Sequence, residues 1–498
     1  MKIIKPYISI ILALSIGINL LSCTDFLDVN NNPNNPPEST PSLSLPVAQQ
    51  NLAALNARAM TYLGQFMAYN WSTPSNWAAN EGLIKYNITS TFYTSLFESS
   101  YLFIFKDLTY IENFTDPDID YSAYKVISAV LKGFQYQYLV DIYGDIPYTE
   151  ANQRGENTTP AYDDAETVYK SVIQQLTEVV SLALNLPDNA ENPSSQDIIF
   201  NGDMTKWAKW ANTIKLRMLV RMSNTEQNQY IEEQIALIDA NGLGYITEDV
   251  VAQPGYSDDS RKQSPFYGYF VNPSTGSQTD RGDFTVATDY TIDYLTKTND
   301  NRIERLYAVS KNDGIYKGAE QTTTLPGVGF TSDDLSKVGP GLLKSSEQDQ
   351  AIMTLSEALL LQAEAAHRGY ISGGEAKAKD LYQKAIEASF IYLGVEDASN
   401  AAKTYYTQSI NKVSWDDSSN KLEAIIVQKW IALNGTSSIE LWIEKTRTDF
   451  PSDLPISKES KGVRPLRLLY PNSERARNSD NVPTQTNQDA FTQNPFWK

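Results

Sequence analysis

The chain has 498 residues, of which 41% are hydrophobic and 20% are charged, and its formal charge at pH 7 is −19. Such an acidic chain offers no basic surface for phosphates, so we expect no nucleic-acid partner. The single cysteine, Cys23, excludes an internal disulfide. Together with the single histidine, His367, it also excludes zinc sites built from several Cys or His ligands. We expect no metal site and no cofactor.

The beginning of the chain carries export signals. Two lysines precede the mostly apolar run 7–21, which has the length of a signal-peptide core and is too short to span a bilayer comfortably. The next residues, Leu-Leu-Ser-Cys, resemble a bacterial lipobox, so we predict a lipoprotein signal peptide at 1–22 and lipidation of Cys23. An ordinary secretory signal with an unrelated cysteine is the alternative. Residues 23–46, rich in Asn and Pro, predict an extended tether.

Amphipathic segments follow, each with apolar residues at three- and four-residue steps. They predict helices over 47–69, 91–111, 121–142, 163–184 and 204–222. Residues 244–349 differ, because Gly, Pro, Ser, Thr and Asp dominate and little periodicity is left. We interpret this stretch as long surface loops with a few short strands and one or two helices near 290–306.

The clearest fold signal is the stretch 353–393, which predicts two antiparallel helices with alanines on their inner faces. Regular helices return at Gln350, and the first one ends before Gly369. Ser372 and Glu375 have the spacing of a capping box at the start of the second helix. This pattern is typical of a tetratricopeptide-like hairpin, which needs neighbouring hairpins to bury its face. A further helix pair is predicted at 422–433 and 439–445.

These elements predict an all-α fold of tetratricopeptide-like hairpins, with a large loop-rich side and few short strands. The folded domain covers 47–498. Within it, 47–243 and 350–447 form the helical core, 244–349 is a loop-rich insertion, and 448–498 is a Pro- and Asn-rich tail that wraps the surface.

Several blocks resemble the SusD/RagB family, in its SusD-like branch of Bacteroidetes outer-membrane lipoproteins. They are the lipobox with DFLDVNNNPNNP, then YGDIPYTEA, MTLSEALLLQAEAAHRG, LYQKAIEASFIYLG, IIVQKWIALNGTSSIELWIEKTRTDFP and RPLRLLYPNSE. They occur in family order over nearly the whole mature chain. The sequence departs from the family at KTRTDFP, where relatives tend to carry paired arginines and a glycine, which bears on packing more than on fold.

The resemblance implies a binding protein without enzymatic activity, in which the loop-rich side binds the ligand. It implies that the lipid anchors the chain to the outer membrane, facing outward, where it captures oligosaccharides for a SusC-type TonB-dependent transporter. Some relatives capture peptides, so a peptide ligand is an alternative. A surface glycoside hydrolase with a carboxylate pair is another, since 60 acidic residues leave room for one. A tetratricopeptide-like adaptor without a small ligand is the third.

The preferred ligand site is the loop after the first helix. It contains two tryptophans for stacking on sugar rings and two asparagines for hydroxyl groups, namely Trp71, Asn76, Trp77 and Asn80. In the glycan-binding relatives, this early region and the middle loops form the binding arc. We therefore add the tyrosines Tyr267, Tyr269 and Tyr290. The alternative places both tryptophans in the core or against the transporter. We expect Trp71→Ala with Trp77→Ala to abolish binding without unfolding.

Three further features carry no functional prediction. His367 ends an alanine-rich helix, where capping or packing is expected, and no G-x-S-x-G turn accompanies it. The Arg-Gly-Asp sequence within 280–283 is interpreted as a chance match. The glycine-rich stretch lacks the G-K-[ST] of a phosphate-binding loop; its glycines are Gly327, Gly329, Gly339 and Gly341.

Overall fold

A computed structural model describes residues 39–322 and 329–498. The predicted signal peptide at 1–22, the lipidation site Cys23 and most of the predicted tether lie outside these ranges, as does Gly327. None of the helices within the described ranges is long and apolar enough to cross a membrane.

The first half of the described chain is built mainly from helices. They are α1 (Pro41–Leu55), α2 (Thr61–Met67), α3 (Glu81–Ile84), α4 (Ser95–Ser99), α5 (Lys106–Asn113), α6 (Ser122–Tyr143), α7 (Ala165–Leu184), α8 (Met204–Arg221) and α9 (Asn228–Ala240). The π-helical segments Asn56–Met60 and Ser100–Phe105 join α1 to α2 and α4 to α5. Helices are thus present in all five predicted regions. The first begins at Pro41, inside the predicted tether, because proline fits the first turn of a helix.

The second half has shorter elements before regular helices return. Its helices are α10 (Tyr267–Phe270), α11 (Asp280–Phe284), α12 (Asp289–Lys297), α13 (Ile303–Leu306), α14 (Leu355–His367), α15 (Gly374–Leu393), α16 (Ala398–Tyr406), α17 (Lys421–Ala432), α18 (Ile439–Thr448), α19 (Asn472–Arg477) and α20 (Asp489–Thr492). The irregular character predicted for 244–349 is confirmed, as are the helices near 290–306.

Four short strands form two antiparallel pairs, which agrees with the expected few strands. Strand β1 (Trp71–Ser72) pairs with β3 (Val286–Ala287), and β2 (Val250–Ala252) pairs with β4 (Gln350–Met353). The prediction that helices return at Gln350 is therefore wrong. The continuous apolar run there is a fully buried strand, and periodicity alone does not distinguish such a run from a helix.

The predicted hairpin is confirmed as α14 and α15, which pack through small residues. The alanines of both inner faces are fully buried, and the Ser356 hydroxyl donates to the Ala385 carbonyl at 2.7 Å, which shows how closely the backbones approach. The predicted capping box is wrong. The residue before α15 is Gly373, in a left-handed conformation, and no side chain caps the helix. Glu375 instead contacts His367 at 2.5 Å.

Other helices pack in the same manner, with α6 against α7 and α7 against α8. Charged residues occupy the centre of this assembly. Arg217 and Arg221 of α8 are fully buried, as is Arg447 of α18. They form ion pairs with buried carboxylates of α6, α14 and α18, namely Asp141, Glu357, Glu364, Glu440 and Glu444. Lys429 of α17 lies within 3.6 Å of Glu440 and 3.5 Å of Glu444. The network connects five helices and is the polar core of the fold.

The C-terminal tail covers the core with two short helices and irregular segments. Trp497, the penultimate residue, is fully buried and donates from Nε1 to Asp141 Oδ1 at 2.8 Å. The tail therefore contributes to the interior as well as to the surface. Its indole is a direct neighbour of the ion-pair network, since the Arg221 guanidinium lies 5.7 Å from the ring centroid.

Candidate functional site

Pairing of β1 with β3 brings two distant parts of the chain together. Trp71 aligns with Ala287 and Ser72 with Val286, so the loop after α2 lies beside α11 and the residues that follow it. The early loop and the middle loops, both predicted to contribute to the site, are thus neighbours. Each of the seven predicted ligand residues can be placed relative to this junction.

Trp71 lies beneath the surface and not on it. Its exposed fraction is 0%, and its ring packs against Tyr62 and Phe270, with centroids 5.6 Å away in both cases. A ring without exposed area cannot stack on a ligand, so the structure corrects the prediction for this residue. Trp71 supports the site from below.

Trp77 is half-buried at the surface, and its ring is held in place. Its Nε1 donates to Asp283 Oδ2 at 2.6 Å, and the ring of Phe284 packs edge-on at 5.5 Å. Asp283 also accepts from Lys337 Nζ at 2.6 Å. Partial burial alone would raise the pKa of Asp283, but the hydrogen bonds from Lys337 and Trp77 outweigh it and lower the pKa. The carboxylate is therefore a fixed anion that orients the indole.

Both predicted asparagines form hydrogen bonds within the protein. Asn76 is exposed, accepts from the Ser332 backbone N–H at 2.9 Å and donates to the Ser332 hydroxyl at 3.3 Å. Asn80 adopts a left-handed conformation with a φ of 57°, donates to Thr73 and accepts from the Tyr62 hydroxyl at 3.2 Å. The asparagines shape the loop, and each amide nitrogen keeps a second N–H that can reach a ligand.

Tyr269 is half-buried and lies under an arginine that the sequence did not suggest. The Arg281 guanidinium sits 4.1 Å from the Tyr269 ring centroid and 4.7 Å from that of Tyr62. The ring centroid of Phe284 lies 5.6 Å from the same guanidinium. No carboxylate in the described part of the chain forms an ion pair with Arg281, so its N–H groups remain available. We call the surface formed by Trp77, Asn80, Tyr269, Arg281 and Phe284 the Trp77–Arg281 face.

The other two predicted tyrosines form no ring contact with the described residues of this face. Tyr267 begins α10 and is half-buried against the core. Tyr290, on α12, lines a separate cavity of about 370 Å³ with Tyr69, and its ring packs edge-on against Trp430 at 5.7 Å. Burial raises the pKa of Tyr290, as does Asp453, which accepts a hydrogen bond from it. The site prediction thus combined residues that belong to different surfaces.

Arg281 and Phe284 were missed because they lie within Asp-Arg-Gly-Asp-Phe, where the Arg-Gly-Asp sequence drew a chance interpretation. In the structure these five residues are the short helix α11, capped by the Thr279 hydroxyl. Gly282 permits it, since a Cβ there would lie 2.3 Å from the Phe270 carbonyl oxygen. The signal available in the sequence was an arginine three positions before a phenylalanine within the irregular region.

The face combines half-exposed aromatic rings with unpaired N–H donors. Aromatic faces stack on apolar ring surfaces, and the N–H groups donate to hydroxyl or carbonyl oxygens, so the arrangement fits a sugar. It fits hydrolysis poorly. Glycosidases need a general acid with a raised pKa, whereas the pKa of Asp283 is lowered and its oxygens accept hydrogen bonds from Trp77, Lys337 and Ser332.

Comparison with known proteins identifies relatives that match most of the chain. A family profile described as "Starch-binding associating with outer membrane", of the SusD-like group, matches residues 33–471. No curated protein sequence matches the chain. A solved structure named as a chitin-binding protein is similar, with 26% identity and a TM-score of 0.71, covering 89% of this chain and 95% of its own.

Two further solved structures have the same fold. A chitin-binding SusD homologue from Flavobacterium johnsoniae is 20% identical, with a TM-score of 0.70, and the match covers 92% of this chain and 98% of that one. A SusD homologue from Bacteroides fragilis NCTC 9343 is also 20% identical, with a TM-score of 0.69 and coverages of 89% and 95%.

Proposed function

Because the chain belongs to the SusD-like family, we propose that it captures oligosaccharides at the cell surface and passes them to a SusC-type TonB-dependent transporter in the outer membrane. Cys23 would carry the lipid that anchors the chain, with the folded domain facing outward. Lipid anchoring keeps the domain close to its transporter, which raises the effective concentration of the pair without a tight interface.

The observation that carries the ligand class is the Trp77–Arg281 face. Its tryptophan is held at a fixed orientation by Asp283, so little side-chain freedom is lost when a sugar stacks on it. The guanidinium of Arg281 adds donors, and none of the carboxylates in the described ranges forms an ion pair with it. Two of the proteins with similar structures are chitin-binding. We therefore propose oligomers of N-acetylglucosamine, the sugar unit of chitin, as the ligand, because their acetamido carbonyl groups can accept hydrogen bonds from these donors.

We propose that capture needs no catalysis. The face offers stacking surfaces and hydrogen-bond donors, while its one anchored carboxylate is ion-paired with Lys337. Binding alone then delivers an intact oligosaccharide to the transporter. Peptide capture remains the alternative that Arg281 favours, because a free guanidinium also binds a carboxylate.

A glycan and peptide array tests the ligand class. The chain without its signal segment, carrying Cys23→Ser to keep it free of lipid, should bind oligomers of N-acetylglucosamine or of starch type and release no hydrolysis products. Binding to peptides alone would favour the alternative, and release of shortened sugars would reverse the assignment to a non-enzyme.

Affinity purification of the lipidated chain from its native membrane tests the partner. It should recover a large β-barrel transporter, whose identity mass spectrometry establishes. A chain with Cys23→Ser should recover much less of it, because the tether no longer keeps the two proteins together. Equal recovery of the barrel with both chains would show that the anchor does not matter for assembly.

A further inference from the structure

A second concave surface is built from other elements than the Trp77–Arg281 face. It is a groove of about 1030 Å³ between the start of α1, helix α5, the middle of α6 and the loop that follows α6. None of the five residues of the face lines it. Its volume is at the upper end of the range typical of small-molecule sites, about 300–1,000 Å³.

The floor of this groove contains a tyrosine hydroxyl without a protein partner. Tyr136 is 2% exposed, its ring stacks on Phe105 with centroids 3.9 Å apart, and Tyr148 packs edge-on against it at 4.9 Å. No hydrogen bond to the hydroxyl comes from residues 39–322 or 329–498. Unlike the Tyr143 hydroxyl, which is fully buried, this hydroxyl is open to the groove, so a ligand bound there can form a hydrogen bond with it.

Two nearby tyrosines show that a hydroxyl in this part of the core can be hydrogen-bonded within the protein. Tyr138, on the same helix, has its hydroxyl oxygen engaged by Arg217 at 2.9 Å. Tyr101, which contacts Tyr136 edge-on, donates to the Pro147 carbonyl at 2.6 Å. The fold thus supplies partners for these two hydroxyls and leaves that of Tyr136 open towards the groove.

Both lysines that line the groove are paired with acidic residues of the protein. Lys132 donates to Glu112 at 2.6 Å and to the Thr109 hydroxyl at 3.2 Å. Lys106 lies 3.5 Å from Asp107. An anionic ligand would therefore compete with existing ion pairs, and a neutral one would not.

The remaining lining is aromatic and amide. Tyr148 and Phe114 are half-buried, so part of each ring faces the groove. The Nδ2 of Asn152 finds no acceptor among the described residues. Ring faces together with neutral hydroxyl and amide groups are the chemistry that recognises a sugar.

We propose that this groove is a second binding site for a neutral oligosaccharide, with Tyr148 as its stacking surface and the Tyr136 hydroxyl and Asn152 amide as its hydrogen-bonding groups. The site extends the proposed function to a second surface, but it does not depend on binding at the first. A chain with two sites holds a long polymer more tightly than either site alone, provided that one polymer reaches both.

Calorimetry on a chain whose first site is disabled tests this inference. In a Trp77→Ala, Arg281→Met background, the groove should still bind a neutral oligomer of N-acetylglucosamine or of glucose with a stoichiometry of one. Tyr136→Phe removes only the hydroxyl and should weaken this binding by about three- to tenfold, the value of one neutral hydrogen bond. Tyr148→Ala should abolish it.

The matched control is Tyr143→Phe, which removes the hydroxyl of an equally buried tyrosine on α6 that does not line the groove. It should leave the affinity unchanged. Absence of saccharide binding in the background chain would overturn the second site while leaving the proposed function intact if the unmodified chain binds. Binding that persists unchanged in both Tyr136→Phe and Tyr148→Ala would also overturn it. Preference for a cationic glucosamine oligomer would overturn the neutral assignment.

Discussion

Arginines have different roles in the helical core and on the loop-rich side of the molecule. In the helical core, Arg217, Arg221 and Arg447 are fully buried, and each contacts at least one carboxylate. On the loop-rich side, Arg281 lies over the rings of Tyr62 and Tyr269 and pairs with no described carboxylate. The same side chain is a structural element in one region and an available donor in the other.

The difference follows from the cost of removing a charge from water. A buried guanidinium is tolerated only when carboxylates and hydrogen bonds compensate its desolvation. The core arginines meet this condition, and because they are fully buried a ligand cannot reach them. A guanidinium over aromatic rings at the surface keeps part of its hydration and exchanges it for ligand contacts. The core should therefore respond to mutation through stability, and the face through affinity.

The largest effect is expected from breaking the core network. Arg221→Met leaves Glu440, Glu444 and Asp141 buried without this partner, which should lower the free energy of unfolding by about 3–5 kcal/mol. Urea unfolding followed by circular dichroism measures the change. Lys297→Met, which breaks an exposed pair with Asp293, is the control and should change little. Equal stability of both variants would refute the structural role of the network.

Replacing Trp71 should also act on stability, contrary to the expectation from sequence. Trp71→Ala leaves a cavity beneath the face and should lower the free energy of unfolding by about 3–5 kcal/mol. Trp77→Ala, six positions along the chain, should have a much smaller effect because its ring is half-exposed. Thermal unfolding of the two variants measures the contrast, and similar melting temperatures would contradict the burial of Trp71.

The core network should also give the stability a dependence on pH. Burial raises the pKa of Asp141 from its ordinary 3.8 to about 6, against the opposing effect of Arg221. Between about pH 4 and pH 6, Asp141 is therefore protonated in the folded chain and ionised in the unfolded chain. Because the folded chain binds the extra proton, this residue lowers the free energy of unfolding as the pH rises through that interval. Asp141→Asn removes the contribution.

Urea unfolding at a series of pH values measures this effect. The stability of Asp141→Asn relative to the unmodified chain should increase by on the order of 2 kcal/mol between about pH 4 and pH 6. Glu364 and Glu440 have lowered pKa values despite their burial, because of Arg447 and Arg221 respectively, so their stabilisation is lost below about pH 4.5 in both chains. A constant difference between the chains at all pH values would argue against the raised pKa.

A smaller effect is expected from the arginine of the face. Arg281→Met keeps an apolar side chain over the tyrosines but removes the charge and the donors, so affinity for a bound oligosaccharide should fall by about three- to tenfold. The control is Arg261→Met, since Arg261 is 87% exposed and lies 3.7 Å from Asp259. If Arg281→Met and Arg261→Met both bind the oligosaccharide as tightly as the unmodified chain, Arg281 takes no part in binding.

Local patterns predicted the helices well, and long-range pairing decided the rest. The periodicity of 121–142 and 163–184 corresponds to α6 and α7 within two residues at every end. By contrast, Trp71 and Trp77 have equivalent signals in the sequence. Only the pairing of β1 with β3 buries the first and leaves the second at the surface.

The same limit explains the missing site residue and the wrong helix start. Arg281 becomes part of a site only because Tyr62 and Tyr269, distant in sequence, lie beneath it. At α15, the sequence favoured a Ser372 cap, but Gly373 and Gly374 both adopt positive φ values and turn the chain without one. Each error came from interactions or backbone conformations that composition and spacing do not encode.

The central claim is that the Trp77–Arg281 face binds a sugar. Calorimetric titration of the unmodified chain and of Trp77→Ala with an N-acetylglucosamine oligomer tests it most directly, with Tyr290→Ala as the control at the separate cavity. We expect Trp77→Ala to weaken binding by about three- to tenfold, the value of one aromatic stacking contact, while Tyr290→Ala changes it by less than about twofold. Unchanged affinity in Trp77→Ala, or a larger loss in Tyr290→Ala, would contradict the assignment.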